Sequence, residues 1–199
     1  RIKTLNLETG LVRVELSLRG AVPEMLAFQY AFDGAELQRA EARVVKNEIA
    51  FEVEVPDFRI WSPEQPDLHT LCVRVGRDTI VERFGIRTIE TDGCQLLLNG
   101  EPLRLLGVNR HESHPEFGPV QPTQLMVDDL KYAKELHANF IRGAHYQQNP
   151  EFLELCDQMG FLVWEESYGW GQPAADAEDP AKVELFCRAS ATMARASVN

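Results

Sequence analysis

The sequence lacks the features that mark a disulfide-rich protein, a zinc protein or a membrane protein. Its four cysteines are far apart and none belongs to a Cys-x-x-Cys pair, so neither a disulfide framework nor a zinc site is predicted and free thiols are expected. No apolar run approaches the ~20 residues that a membrane-spanning helix needs. The cysteines are Cys72, Cys94, Cys156 and Cys187.

Positive charge is also scarce. Lys and Arg number 20 against 31 Asp and Glu, which gives a formal net charge of -11. A chain of this sign is repelled by phosphate backbones and anionic membrane surfaces, so neither a nucleic acid nor a membrane is a predicted partner. The chain begins at Arg1 without an initiator Met, inside a predicted strand. We therefore expect a piece of a longer protein, and the lack of a visible signal peptide carries no information.

The first half shows the alternation of half-buried strands. Val12, Val14, Leu16 and Leu18 alternate with polar residues, which is the period of two of a strand with one face buried. About seven such runs in under ninety residues predict an immunoglobulin-like β-sandwich. The predicted strands cover residues 2–7, 12–18, 25–32, 37–45, 49–55, 68–75 and 79–84.

Two conspicuous side chains in this half are predicted to be structural. Trp61 lies in a proline-fixed loop and is expected to plug the edge of the sandwich in preference to binding a ligand. His69 lies inside an alternating strand, where a surface or packing role is the default. Nothing in the predicted sandwich suggests catalysis.

The character of the chain changes between residues 96 and 115. Asn99 and Gly100 lie between apolar runs and predict a two-residue type I′ hairpin, which needs positive φ at both positions. The next run, residues 103–108, is almost entirely apolar and predicts a strand that is covered on both faces. Polar residues, among them His111, follow directly at the predicted end of this strand.

Strands and helices alternate in the second half, which predicts a parallel sheet. Asn149, Pro150 and Gly160 are the start and stop residues of one helix. Thr123 is predicted to cap an earlier one, whose apolar face is expected to include Leu136. The predicted elements are helix 123–137, strand 139–141, helix 150–159, strand 161–164, a loop at 171–181 and helix 182–198.

Each of the three predicted parallel strands ends in ionisable residues. His111 follows the first, Arg142 and His145 follow the second, and Glu165 with Glu166 follows the third. Such residues are common in ordinary loops, but parallel sheets place working side chains at the carboxyl ends of their strands. We therefore expect one polar pocket here, suited to a neutral polyol such as a sugar. Aromatic side chains are close by in sequence: Tyr146, Trp164 and Trp170.

The motifs of both halves together resemble the glycoside hydrolase family that contains the β-galactosidases and β-glucuronidases, family 2. The resemblance implies a β-sandwich of the immunoglobulin type at residues 1–87, followed at 88–199 by the first part of an α/β (TIM) barrel of eight units. It also implies a jelly-roll domain before them. The motifs are Trp-Ser-Pro-Glu at 61–64, Phe-Gly-Ile-Arg at 84–87, Leu-Leu-Asn-Gly at 97–100, Gly-Val-Asn-Arg-His-Glu at 107–112, Arg-Gly-Ala-His-Tyr at 142–146 and Leu-Cys-Asp at 155–157.

Four site residues are carried over from this resemblance. His111 matches the sugar-contacting histidine after the first barrel strand, and Arg142 and His145 match residues that line the glycone site after the second. Glu166 matches the acidic residue after the third strand. The family places both catalytic carboxylates later, so they are expected beyond Asn199 and the chain alone is expected to be inactive.

The resemblance also bears on the cofactor and the partners. Where large β-galactosidases carry a Glu and a His that bind magnesium, this chain has Trp170 and Gln172, neither of which is a plausible ligand of that cation. No cofactor is therefore predicted, although magnesium elsewhere in the parent protein stays open. The expected partner is a β-glycoside or oligosaccharide substrate, and the parent is a candidate homo-oligomer. A cytoplasmic bacterial protein is expected in preference to a secreted one.

Retaining cleavage of terminal β-galactosides by the parent protein is the first functional hypothesis. The alternatives are another β-glycosidase of the family, such as a β-glucuronidase or β-mannosidase, and a non-catalytic carbohydrate-binding or interaction module. A hydrolase in which Glu165 and Glu166 are themselves acid and nucleophile is disfavoured. Neighbouring strand residues point to opposite faces and cannot flank one bond at about 5–5.5 Å.

Overall fold

The computed structural model describes residues 1–167 and 170–197, which form two compact units, residues 1–103 and 104–197. None of the helices in the described ranges has the length and apolar character that crossing a membrane requires. The end of the last predicted helix, Val198, lies outside the described residues.

Seven antiparallel strands in two sheets form the sandwich of the first unit, as predicted. One sheet has the order β1-β2-β5 and the other β4-β3-β6-β7, which is an immunoglobulin-like arrangement. The strands are β1 (Ile2–Asn6), β2 (Leu11–Ser17), β3 (Met25–Phe32), β4 (Gln38–Arg43), β5 (Glu48–Glu54), β6 (His69–Val75) and β7 (Asp78–Phe84).

Alternation along these strands fills the core between the sheets. Val12 and Val14 of β2 are essentially inaccessible to solvent and point to the same face, while Arg13 between them is exposed. Aromatic rings pack together between the sheets, and the ring centroids of Phe28 and Phe51 lie 4.8 Å apart. Burial of this apolar stripe is the main stabilising contribution to the sandwich.

Trp61 plugs the sandwich as predicted. Its side chain is only 1% exposed, and its backbone N–H donates to the carbonyl of Ile86 over 2.9 Å. Gly85 passes so close to the indole that a Cβ there would lie 2.8 Å from Cβ of Trp61. The Trp-Ser-Pro-Glu and Phe-Gly-Ile-Arg motifs are therefore two sides of one packing contact.

His69 is a fully buried packing residue with a defined tautomer. Its Nε2 accepts from the backbone N–H of Arg59 over 2.9 Å, so Nδ1 carries the hydrogen and donates to Asp33 Oδ2 over 2.7 Å. Partial burial raises the pKa of Asp33, but this bond and the N–H of Thr70 outweigh it and hold the pKa below its ordinary value.

A small antiparallel sheet follows in the first unit. It contains β8 (Ile89–Asp92), β9 (Gln95–Leu98) and β10 (Glu101–Pro102). Asn99 and Gly100 join β9 to β10 with φ of 55° and 82°, which confirms the predicted type I′ hairpin. The first compact unit includes this sheet and extends to residue 103. The domain boundary after residue 87 stays a prediction.

The second unit contains the predicted parallel sheet, ordered β11-β12-β13, with helices between the strands. Paired residues run across all three strands, for example Asn109 with Arg142 and Arg142 with Trp164. The elements are β11 (Gly107–Arg110), α1 (Thr123–Glu135), β12 (Phe140–Gly143), α2 (Pro150–Met159), β13 (Leu162–Glu165), α3 (Ala174–Glu178) and α4 (Pro180–Ala196).

Helices α1 and α2 bury apolar stripes in a core that they share with the sheet. Met126, Leu130 and Ala133 of α1 are buried as predicted, whereas Leu136 lies at the end of the helix and is 71% exposed. The predicted stop and start residues of α2 are confirmed, because the side chain of Asn149 caps the helix and Gly160 ends it with φ of 73°. The buried members are Met126, Leu130, Ala133, Ala138, Ile141, Phe152, Cys156 and Phe161.

The predicted cap of α1 was wrong. Pro122 stands at the cap position, and Thr123 is already helical, with its hydroxyl donating to Glu151 of α2 over 2.6 Å. Thr123 therefore links two helices and leaves the first helical N–H groups of α1 without a side-chain cap.

Two further predictions need correction. The strand predicted at 103–108 begins only at Gly107, and Leu105, Leu106 and Val108 are 37–46% exposed. The reason is that β11 is an edge of the sheet and pairs with β12 alone among the described strands. The predicted loop at 171–181 contains the short helix α3, and the last helix begins at Pro180, capped by Asp179.

The Trp61 contact predicts a large loss of stability on truncation. Trp61→Ala should lower the free energy of unfolding of the first unit by about 3–5 kcal/mol, since it opens a cavity in the core. Urea unfolding followed by circular dichroism measures this. Val81→Ala is the control, because Val81 is 61% exposed and its truncation should change stability by less than about 0.5 kcal/mol. Equal effects of the two variants would contradict the packing role.

Candidate functional site

The three parallel strands bring their ends to one edge of the sheet. Arg110, Gly143 and Glu165 occupy the same level of the sheet as the last residues of β11, β12 and β13. The residues that follow them therefore emerge side by side, as the sequence predicted. The structure brings His111, Arg142, His145 and Glu166 together there.

Arg142 and Glu166 form the central ion pair of the site. Nη2 of Arg142 lies 2.5 Å from Oε1 of Glu166, and Nη1 donates to Oδ1 of Asn109 over 3.2 Å. Arg142 points to the face of the sheet opposite its buried neighbour Ile141, away from the helices. The side chains are 37% and 18% exposed, so the pair borders solvent and can reach a ligand.

His145 completes this network through the second oxygen of the same carboxylate. Its Nδ1 lies 2.6 Å from Oε2 of Glu166. The hydrogen bond from His145 is the main cause that holds the pKa of Glu166 below its ordinary value of 4.5; burial acts the other way and Arg142 adds to the lowering.

The tautomer of His145 follows from these contacts. An ionised carboxylate only accepts hydrogen bonds, so Nδ1 of His145 carries the hydrogen. Arg142 Nη2, at 3.3 Å from the same nitrogen, therefore finds no acceptor there. The hydrogen bond of His145 to Glu166 uses Nδ1. In the tautomer with the hydrogen on Nδ1, Nε2 is an acceptor for a ligand hydroxyl.

His111 joins the site through ring contacts. Its ring centroid lies 5.3 Å from that of His145 in an edge-to-face arrangement of 73°, and 6.2 Å from that of Tyr146. The side chain is exposed to solvent. His111 thus lies at the edge of the network, in ring contact with His145 and Tyr146 and exposed to solvent.

Sequence reasoning missed a layer of residues that holds the loops around the site. The backbone N–H of Glu112 donates to the hydroxyl of Tyr146 over 2.9 Å, and Glu112 Oε1 accepts from the N–H of Asn149 over 2.8 Å. These bonds tie the loop after β11 to the loop after β12 and to the start of α2. Glu112 follows His111 directly in the recognised motif, which was the available clue.

Arg110 belongs to the architecture and not to the pocket. Its side chain is only 8% exposed and points toward the helices, where it contacts Asp129 of α1 over 2.9 Å and Gln121 over 2.5 Å. Its guanidinium also lies 4.0 Å above the ring of Phe152 in α2. One strand residue therefore binds both helices to β11.

Glu165 and Glu166 point apart, as the alternation of a strand requires. Glu165 accepts from the backbone N–H of Gln148 over 3.0 Å and from the hydroxyl of Ser197. Glu166 faces Arg142 and His145. The two carboxylates occupy separate environments, which agrees with the view that they are not a catalytic pair.

An open pocket of about 400 Å³ lies beside His145. The indole of Trp170 stacks on the imidazole of His145 at 4.5 Å and 29°. Tyr146 and Trp170 are 40% and 66% exposed and offer aromatic faces, while Gln147, Ser167 and Gln172 offer polar groups. Aromatic faces with a few hydrogen-bonding groups are the usual surroundings of a sugar ring.

Clustering of possible metal ligands was considered for residues 1–167 and 170–197. No three His, Cys, Asp or Glu side chains there lie close enough together to hold an ion. Trp170 and Gln172, for which the sequence predicted no metal-binding role, line the pocket. Neither an indole nor a neutral amide makes up for the missing carboxylate.

Fold and site together define a class. An immunoglobulin-like sandwich followed by parallel βα units, with a polar and aromatic pocket at the carboxyl edge of the strands, is typical of multidomain enzymes that act on carbohydrates in a (β/α)₈ barrel. Family models agree and name the family. The model of glycosyl hydrolases family 2 matches residues 5–87, and the model of the TIM barrel domain of that family matches residues 89–184. The chain belongs to glycosyl hydrolases family 2.

Individual relatives place it near the β-galactosidases in sequence. It is 40% identical over 115 residues to a β-galactosidase of Actinobacillus pleuropneumoniae, across 58% of this chain and 11% of the relative. It is 38% identical over 140 residues to a β-galactosidase of Staphylococcus xylosus, across 70% of this chain and 13% of the relative. The chain thus spans about an eighth of the length of these curated relatives.

A solved relative shares the fold over almost the whole chain. The crystal structure of a family 2 β-galacturonidase from Eisenbergiella tayi bound to glycerol matches with a TM-score of 0.76 and 32% identity, covering 95% of this chain and 35% of that one. The likeness spans both the sandwich and the start of the barrel, which confirms the predicted fold class. The roles of His111, Arg142, His145 and Glu166 stay predictions.

The ion-pair network predicts the titration of Glu166. Its folded-state pKa lies below the ordinary value, so pairing with His145 and Arg142 stabilises the fold at neutral pH. That stabilisation is lost as the pH falls through the folded-state pKa, below the ordinary carboxyl range. His145→Ala should raise the pKa of Glu166, as measured by NMR titration of its carboxyl carbon. His114→Ala, which removes an imidazole that does not contact Glu166, should leave it unchanged. An unaltered pKa in His145→Ala would contradict the assigned hydrogen bond.

Proposed function

We propose that this chain supplies the glycone-binding part of the active site of a retaining β-glycosidase that cleaves terminal β-galactosides. The observation that carries the proposal is the network of Arg142, His145 and Glu166 beside an aromatic-lined pocket at the carboxyl edge of the parallel sheet. The β-galactosidase relatives support the choice of sugar.

The network presents a hydrogen-bond acceptor and hydrogen-bond donors side by side. Nε2 of His145 accepts from a sugar hydroxyl, because Glu166 fixes the hydrogen on Nδ1. Arg142 presents guanidinium N–H donors, and its ion pair holds it in place before substrate arrives. A hydroxyl both donates and accepts, so adjacent donor and acceptor groups recognise it in one orientation. Trp170 and Tyr146 supply apolar surface for the ring face.

The carboxylates of this site are poor candidates for the catalytic pair. A general acid needs a raised pKa, and that of Glu166 is lowered by its two partners. Glu165 is turned away and occupied by Gln148 and Ser197. Glu112 is committed to the N–H of Asn149. The acid and the nucleophile are therefore proposed to come from residues outside this sequence.

A uronide is the second candidate substrate, favoured by the similarity to the β-galacturonidase. A substrate carboxylate would need a free cation. Arg142 is the cation of the network, and Glu166 at 2.5 Å already neutralises it. A neutral hexose fits this balance better, since it adds no second negative charge beside Glu166. β-Glucuronidase and β-mannosidase activities also stay open alternatives.

A non-catalytic binding module is the alternative from another class. Such a module should bind sugar tightly through this chain alone. A part of an active site should bind weakly, because His111, Arg142 and His145 border solvent and make up only one side of a pocket. A homo-oligomer of the whole protein stays a prediction.

Activity measurements separate these functions. The purified 199-residue chain should not turn over nitrophenyl β-galactoside, because the pKa of Glu166 is lowered where a general acid needs it raised, and Glu112 and Glu165 are held by hydrogen bonds outside the network. The protein encoded by the complete reading frame should hydrolyse nitrophenyl β-galactoside with a higher kcat/KM than the β-galacturonide or β-glucuronide. In that protein Arg142→Ala should lower kcat/KM by roughly tenfold or more, as expected for a lost hydrogen bond to a charged group.

Two controls bound the interpretation. Arg74→Ala removes an exposed arginine of the sandwich, and kcat/KM should not change. If the 199-residue chain turned over substrate and Glu166→Gln abolished that turnover, Glu166 would itself be a catalytic group, and the proposal that both catalytic carboxylates lie outside this sequence would be wrong. A preference for the uronide would establish the second candidate, and tight galactose binding by the chain without turnover in the complete protein would establish the module.

A further inference from the structure

The orientation of the His145 ring depends on more than its hydrogen bond. The bond from Nδ1 to Glu166 fixes the direction of one ring atom and leaves the ring plane free to rock. Two ring contacts restrict that motion: the edge contact with His111 at 5.3 Å and the stacked face of Trp170 at 4.5 Å. Of these, only Trp170 covers a face of the imidazole.

The position of Trp170 has a second significance. Trp170 and Gln172 stand where the resembling large β-galactosidases have magnesium ligands, so the chain has an aromatic residue in place of an anionic oxygen ligand. Magnesium demands near-octahedral oxygen ligands, and an indole offers only an N–H donor. The residues present therefore do not fit the cation.

The remaining carboxylate of the site is also unavailable to a cation. Oε1 of Glu166 faces Arg142 at 2.5 Å and Oε2 faces His145 at 2.6 Å, so both oxygens are occupied by nitrogen donors. A divalent ion bound to Glu166 would also lie next to the guanidinium of Arg142, which would repel it. Geometry and charge both oppose a metal here.

We propose that Trp170 is a positioning residue for His145, and that its stacked indole together with the Arg142–Glu166 ion pair organises this site in place of a divalent cation. The proposal rests on the proposed function for its biological meaning, since His145 is there a sugar-binding group. Its physical content, a fixed ring orientation and no cation site, is independent of which glycoside the protein cleaves.

The test uses NMR of the 199-residue chain, so it does not depend on turnover. In the wild type the His145 ring protons should be shifted upfield by the indole ring current, and the ring ¹⁵N signals should show the single tautomer with the hydrogen on Nδ1. Trp170→Ala should abolish the upfield shift and leave the tautomer, which Glu166 fixes, unchanged, while the Nδ1–H of His145 should exchange faster with water because its hydrogen bond to Glu166 is no longer held in one geometry. Trp170→Phe, which keeps a stacking ring, should restore the slow exchange.

Trp164→Ala is the matched control. Trp164 is also exposed, at 59%, and lies on the neighbouring strand without a ring contact to His145. Its loss should leave the His145 signals unchanged, and the His69 signals of the sandwich should stay unchanged in all variants as evidence of folding. An unaltered exchange rate of the His145 Nδ1–H in Trp170→Ala, or failure of Trp170→Phe to restore the slow exchange, would overturn the positioning role.

A titration with MgCl₂ tests the second part. The signals of Glu166 and His145 should show no saturable shift in the wild-type chain, because both carboxylate oxygens are occupied. A saturable shift that Glu166→Gln abolishes would reveal a magnesium site and overturn the claim. If the complete protein had no β-galactosidase activity, the proposed function would be refuted, and both NMR results would still hold.

Discussion

The carboxylate of Glu166 is the group on which the candidate site depends. It follows β13, and its two oxygens bind Arg142 from the end of β12 and His145 from the loop beyond it. The side chain of Glu166 thus sets the orientation of the Arg142 guanidinium and the tautomer of the His145 imidazole. Because the carboxylate is ionised and both partners approach within 2.6 Å, the three groups are ordered before a ligand arrives.

Residues on the helix face of the sheet and in the loops support this arrangement. Strand alternation sends Arg142 to the open face and Arg110 to the helix face, where Asp129 and the ring of Phe152 bind it. Glu112 then connects the loops after β11 and β12 through Tyr146 and Asn149. The candidate ligand-binding residues and the residues that hold the loops thus alternate along the same short segments, as preorganised sites require.

The sequence predicts most of the fold because its signals are local. Alternating Val12 and Val14, the Asn99-Gly100 turn and the Asn149 and Gly160 boundaries each depend on a few neighbouring residues. Convergence of the site residues also followed, since parallel strands share one edge. What failed depends on partners distant in sequence. Thr123 contacts Glu151 across two helices, and the exposure of Leu106 reflects its place beside an edge strand. The stack of Trp170 on His145 likewise joins residues from two different loops.

The edge strand β11 has a consequence for handling the chain in solution. Its outer backbone groups have no strand partner among the described residues, and the apolar residues Leu105, Leu106 and Val108 beside them are exposed. An unprotected edge with apolar side chains is a template for intermolecular β-pairing. The 199-residue chain taken alone is therefore expected to self-associate through this edge at high concentration.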